Sequence, residues 1–120
     1  MARYWLIGLV LLVVGGAGVW LRGEYMAHTQ ELFMQGLAYS GGDGQVAADP
    51  KRGFALLLQA AERGHADAMM LVALDYELGG GAPYQSLAEA EKWYRRAAEL
   101  EQPEAKDKVL QYEGLKNGKI

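Results

Sequence analysis

The chain has 120 residues, 51% of them apolar, with two histidines, no cysteine and a formal net charge of -3. Lack of cysteine excludes disulfides, thiolate metal sites, thiol nucleophiles and a bacterial lipobox. From Gly23 onward 10 Lys and Arg stand against 15 Asp and Glu, a balance of -5, and so acidic a body argues against nucleic acid as a partner.

The first element is apolar. Trp5 to Leu21 reads WLIGLVLLVVGGAGVWL, seventeen uncharged residues, which as a helix span about 25 Å, the short end of a bilayer crossing. Tyr4, Trp5 and Trp20 fall where aromatic rings favour the two water interfaces. A cleaved signal peptide is the competing reading, but no A-x-A precedes a cleavage point, and Trp20 and Arg22 follow the small residues at once. An uncleaved anchor is therefore expected. Arg3 and the amino terminus are positive on one side while Arg22, Glu24 and Glu31 nearly cancel on the other, so the positive-inside bias sets the amino terminus in the cytoplasm. In a Gram-negative bacterium the body would then hang in the periplasm from the inner membrane, or be secreted there if the segment were cleaved.

The remainder repeats at a constant offset of 37. Tyr39 falls on Tyr76, Gly42 and Gly44 on Gly79 and Gly81, Asp49 on Ser86, Gly53 on Ala90, Leu56 on Trp93, and Ala60-Ala61-Glu62 on Ala97-Ala98-Glu99. In the first unit a helix over about Thr29 to Ser40 should stop at Gly41-Gly42, and a second should begin with Asp49 as N-cap and Pro50 at the first helical position. In the second unit a helix from Ala66 to about Leu78 should stop at Gly79-Gly80-Gly81, and Ser86 should cap the next, with Glu89 completing a capping box. Small residues at Gly36, Ala73, Ala60, Ala61, Ala97 and Ala98 let paired helices approach, with Tyr39, Tyr76, Leu56 and Trp93 filling the spaces between them. A third start after Pro103 has no second half, so Glu104 to about Leu115 reads as a terminal helix covering the last repeat, made basic by Lys106, Lys108, Lys116 and Lys119.

These residues resemble the Sel-1-like repeat, a relative of the tetratricopeptide, whose unit runs roughly A-x-x-x-L-G-x-x-Y, a G-x-G loop, D-x-x-K-A-x-x-W-Y and A-A-x-x-G. The second unit supplies Ala68, Val72-Ala73, Tyr76, Gly79, Gly81, Ala90, Trp93-Tyr94 and Ala97-Ala98; the first supplies Gly36, Tyr39, Gly42, Gly44, Val46, Asp49, Ala60-Ala61 and Gly64. The chain departs from the pattern where Gly53 replaces alanine, Leu56-Leu57 replace Trp-Tyr and Glu101 replaces the closing glycine. The expected fold is all-α, an N-terminal transmembrane helix followed by an α-solenoid of about two and a half helix-turn-helix repeats. Residues 1–28 form the anchor and linker and 29–117 the repeat domain, with units at about 29–65 and 66–102 and a terminal helix at about 103–116.

The resemblance implies protein binding without catalysis: an adaptor, or alternatively an immunity protein neutralising a secreted toxic effector such as a lipase. By analogy with tetratricopeptides, the first helix of each unit lines a groove, here Gln30, Phe33 and Leu37 followed by Asp67, Met70, Leu74 and Glu77. That stripe of four apolar residues with two carboxylates suits a helix or extended peptide with a basic edge. The bland reading is that Phe33, Leu37, Met70 and Leu74 are core, or are covered by Arg22 to His28 of the same chain. No cofactor or metal is expected, because two histidines and no cysteine leave no nucleophile-base set. The pairs Glu89/Glu91 and Glu99/Glu101 are two apart and do not face the same way on a helix. The glycine runs lack a preceding strand and a Gly-Lys-Ser/Thr, so they are turns. His65 reads as a solvated residue of the turn between units.

Overall fold

The computed structural model describes the backbone of residues 2–118 and the side chains of residues 15–118. Five helices follow one another: α1 (Ala2–Gly41), α2 (Pro50–Glu62), α3 (Ala66–Leu78), α4 (Leu87–Glu99) and α5 (Pro103–Lys116). Each packs chiefly on the helices before and after it in the chain, the nearest-neighbour arrangement of a solenoid.

The repeat seen in the letters is a repeat of hydrogen bonds. The Asp49 N–H donates to the Tyr39 carbonyl at 2.7 Å, and 37 residues on the Ser86 N–H donates to the Tyr76 carbonyl at 2.9 Å. These bonds tie the end of each unit's first helix to the start of its second. His65 N–H to Ala60 carbonyl and Gln102 N–H to Ala97 carbonyl, both 3.1 Å, tie the unit ends in the same way. Asp49 accepts from the Arg52 N–H and Ser86 from the Glu89 N–H, as expected of N-caps. The capping box does not close, because the Ser86 N–H is spent on Tyr76 and the Glu89 carboxylate pairs with Lys92 at 2.9 Å.

The first helix of the first unit does not start near Thr29. Between Gly23 and His28 there is no proline, and one glycine costs a helix only about 1 kcal/mol, so α1 runs through the expected linker. Thr29 caps nothing; its hydroxyl donates back to the Tyr25 carbonyl at 2.8 Å, a mid-helix pattern. Of the expected membrane segment Trp5–Leu21, residues 5–14 lie outside the described side chains. Among the described residues no helix is long and apolar enough to cross a membrane.

The core is built from small residues at the crossings, Ala60, Ala61, Ala68, Ala73, Ala90, Ala97 and Ala105, with Leu57, Val72, Tyr76, Trp93 and Tyr94 between them. At the helix that departs from the Trp-Tyr pattern, Leu57 is the deeply buried residue and Leu56 only half-buried. Tyr39 is also half-buried, with the Arg52 guanidinium 4.2 Å over its ring. Gly81 fits because α2 passes directly against it: a Cβ there would lie 2.0 Å from the Pro50 carbonyl oxygen.

Candidate functional site

The residues named for a groove fall into three situations. Gln30 and Phe33 of α1 are brought together by His65, in the turn between α2 and α3. The His65 ring stacks on Phe33, with centroids 4.2 Å apart and planes inclined by 22°. Its Nε2 lies 2.9 Å from Gln30 Oε1, and its Nδ1 accepts from the Ala68 N–H at 3.2 Å. An Nδ1 that accepts carries no proton, so the ring is neutral and Nε2–H donates to Gln30. His65 is therefore the N-cap of α3 and the bridge between the two units, more than the solvated turn residue expected of it.

Leu37 and Asp67 make up the second situation. Leu37 is 38% exposed, and Asp67 is exposed and forms no ion pair among the described residues. Met70 is half-buried and packs on the core, as Phe33 does, and Leu74 is half-buried. The segment Arg22 to His28 covers none of them as a separate lid, because it is part of α1.

Glu77 is the third. Its carboxylate takes the Tyr94 hydroxyl and the Lys108 ammonium, the latter at 3.0 Å and 3.1 Å. Burial and this carboxylate raise the Tyr94 pKa, burial being the larger cause. Glu77 thus joins α3 to α4 and α5 and offers no free charge to a partner. The lysines of α5 act similarly: Lys108 reaches Glu77, and Lys116 reaches Glu91 at 2.6 Å beside Arg95. These contacts hold the Glu91 pKa below the usual carboxylate range.

Sequence reasoning missed His65 as a bridge, although a signal was present. At the offset of 37, His65 matches Gln102, and each stands immediately before a helix. Gln102 caps α5 through its side-chain oxygen, which accepts from the Ala105 N–H at 2.6 Å. The Tyr94–Glu77–Lys108 set left no such trace, since Leu57 and Ser40 occupy the equivalent places of Tyr94 and Glu77 in the first unit.

No cluster of three or more His, Asp or Glu among the described residues could hold a metal ion. A surface hollow of about 620 Å³ lies at the start of α2 between Tyr39, Pro50, Lys51 and Gly80. It brings together no acid-base pair, and Asp49 on its edge is engaged as a helix cap.

No protein-family model matches the chain, and neither does any curated protein. Among solved structures it is similar to a Sel1 repeat protein from Oxalobacter formigenes, at 29% identity and a TM-score of 0.66 over 87% of this chain. The similarity takes in 44% of that protein, so this chain spans less than half its length. The fold is that of Sel1-like repeats, as the residues at the offset of 37 imply.

Proposed function

We propose that the chain is a membrane-tethered, non-catalytic adaptor whose Sel1-like repeats hold another protein along the row Gln30, Phe33, Leu37, Asp67, Met70 and Leu74. The observation that carries this reading is that Leu37 and Asp67 stand exposed, Asp67 without an ion pair among the described residues, while Phe33 and Met70 are half-buried. Exposed apolar side chains rimmed by charge are the ordinary mark of a contact. The apolar segment Trp5–Leu21 is the tether of the proposal, with the body on the periplasmic side of a bacterial inner membrane. Arg3 and the flanking charges support that orientation.

Affinity capture of the full-length, detergent-extracted protein tests this, using a Leu37→Glu, Asp67→Lys double variant whose helicity matches by circular dichroism. These positions are better than Phe33 and Met70, which pack on His65 and the core. One protein captured by the native chain and lost by the variant is the expected result. The same partners with both chains would overturn the proposal. A captured hydrolytic toxin whose activity falls on one-to-one binding would mark an immunity protein instead of an adaptor.

A further inference from the structure

His65 is held at three points at once. Its ring stacks on Phe33 of α1, its Nε2–H donates to Gln30 Oε1 on the same helix, and its Nδ1 accepts from the Ala68 N–H in the first turn of α3. Among the described residues the bond to Gln30 is the only side-chain hydrogen bond between α1 and the second unit, and no ion pair joins the two units. The equivalent junction, before α5, carries Gln102, whose Oε1 accepts from the Ala105 N–H. A cap at this place therefore needs only a neutral acceptor, and a glutamine amide gains no proton near neutral pH. At the junction between the two full units the acceptor is instead a group that titrates between about pH 5 and 8.

We infer that His65 is a proton-operated latch between the two units: neutral, it clamps α1 to the start of α3; protonated, it releases both, and the first helices of the units part. A proton enters the ring at Nδ1, since Nε2 already carries one. The new N–H then faces the Ala68 N–H 3.2 Å away, donor against donor, and the cap is lost. Turning the ring away takes Nε2 off Gln30 and the stack off Phe33 as well, because one rigid plane makes all three contacts. The charged and titratable groups around this junction are Asp67 on α3, His28 and Glu31 on α1, and Glu62 and Arg63 at the end of α2. The Glu31 carboxylate accepts from Gln35, and the Arg63 guanidinium lies 5.4 Å over the Tyr25 ring. Asp67, two residues on and without an ion pair among the described residues, is the group whose charge acts on the ring and favours the protonated form. Burial, the larger influence, favours the neutral form, so release falls below the ordinary histidine value of about 6.5. The apolar core shared by α2 and α3 stays in place as the pivot. The latch stands on these contacts alone; only its use, freeing Gln30 and Phe33 for a protein held along the row, rests on the adaptor reading.

The test takes the full-length protein, in detergent and without a partner, from about pH 7.5 to about pH 5. Long-range nitrogen–proton spectra of isotope-labelled histidine, assigned with His65→Gln, are expected to show the His65 proton on Nε2 at the upper pH and on both nitrogens at the lower. Over the same range the Ala68 amide should lose about tenfold of its protection against hydrogen exchange, while Tyr94 and Ala97 in α4 keep theirs. The chain has no cysteine, so spin labels on a Gln35→Cys, Glu99→Cys variant, both exposed positions, report the distance between the units. That distance should lengthen at the lower pH in the native background and stay constant with His65→Gln. A proton on Nδ1 at the upper pH, a ring still neutral at the lower, or a distance that does not lengthen overturns the inference. Protection lost equally at Ala68, Tyr94 and Ala97 overturns it too, because the whole fold then opens and no latch is involved. So does lengthening that persists in His65→Gln. None of these outcomes touches the adaptor reading, which the capture experiment decides separately.

Discussion

A Cβ on Gly53 would lie 2.5 Å from the Ser40 hydroxyl oxygen and 2.7 Å from the Ser40 nitrogen, with the Gly36 carbonyl oxygen 2.9 Å away. α2 therefore crosses α1 at a separation that only glycine permits, and two of the three neighbouring atoms are backbone. The departure from the repeat's alanine at this place is a packing requirement. Alanine would gain up to about 1 kcal/mol in helix propensity but lose about 1–3 kcal/mol to overpacking. Gly53→Ala is expected to lower the stability of the full-length protein in a urea titration, despite being the better helix former.

Glu101 replaces the closing glycine and still adopts its backbone, with φ of 65° against 96° at Gly64. A side chain in this left-handed region costs about 1 kcal/mol or more. Glu101→Gly is expected to stabilise the chain by about 0.5–1 kcal/mol, partly offset by the greater freedom of glycine when unfolded. The ion pair it loses, Glu101 with Lys106, is exposed and worth little. The reverse change, Gly64→Ala, should destabilise; thermal melts of both variants check the pair.

His65 caps α3 only while its Nδ1 is unprotonated. Burial lowers its pKa, and the nearby Asp67 opposes that shift without cancelling it. The folded pKa thus lies below the unfolded value, about 6.5, so the stability it contributes is full above that value and fades as pH falls through the folded pKa. Melting temperature should begin to drop below about pH 6.5, before the carboxylates titrate. His65→Gln, which copies the Gln102 cap, should remove that part of the pH dependence while keeping most of the stability at pH 7.5.

The docking of α5 depends on Lys108 and the Glu77 carboxylate it shares with Tyr94. Lys108→Ala leaves Glu77 with Tyr94 alone and is expected to cost about 1 kcal/mol, since the pair is only partly buried. Glu77→Ala should cost more, because it strands the Tyr94 hydroxyl as well. Amide hydrogen exchange in Ala105 to Leu115 should rise in both, more for Glu77→Ala.

Much of the architecture was legible before any coordinates. The offset of 37 located α2, α3, α4 and α5, with Asp49 and Ser86 as caps, since caps, glycine stops and small-residue crossings are local choices written in residue type. The continuity of α1 was not legible: a linker was expected up to residue 28 with a new helix from about Thr29, whereas the segment is helical throughout and the Thr29 hydroxyl bonds back to Tyr25 within it.

Of the candidate row, the sequence alone determined only that the residues named on each first helix share one side of it, because helical spacing fixes a side chain's direction. Which of them are free was decided by tertiary structure. Gln30 and Phe33 are engaged by a histidine 35 and 32 positions away, and Glu77 by a lysine 31 positions on. Pairings at such separations depend on how whole units stack, and neither the repeat nor any local propensity encodes them.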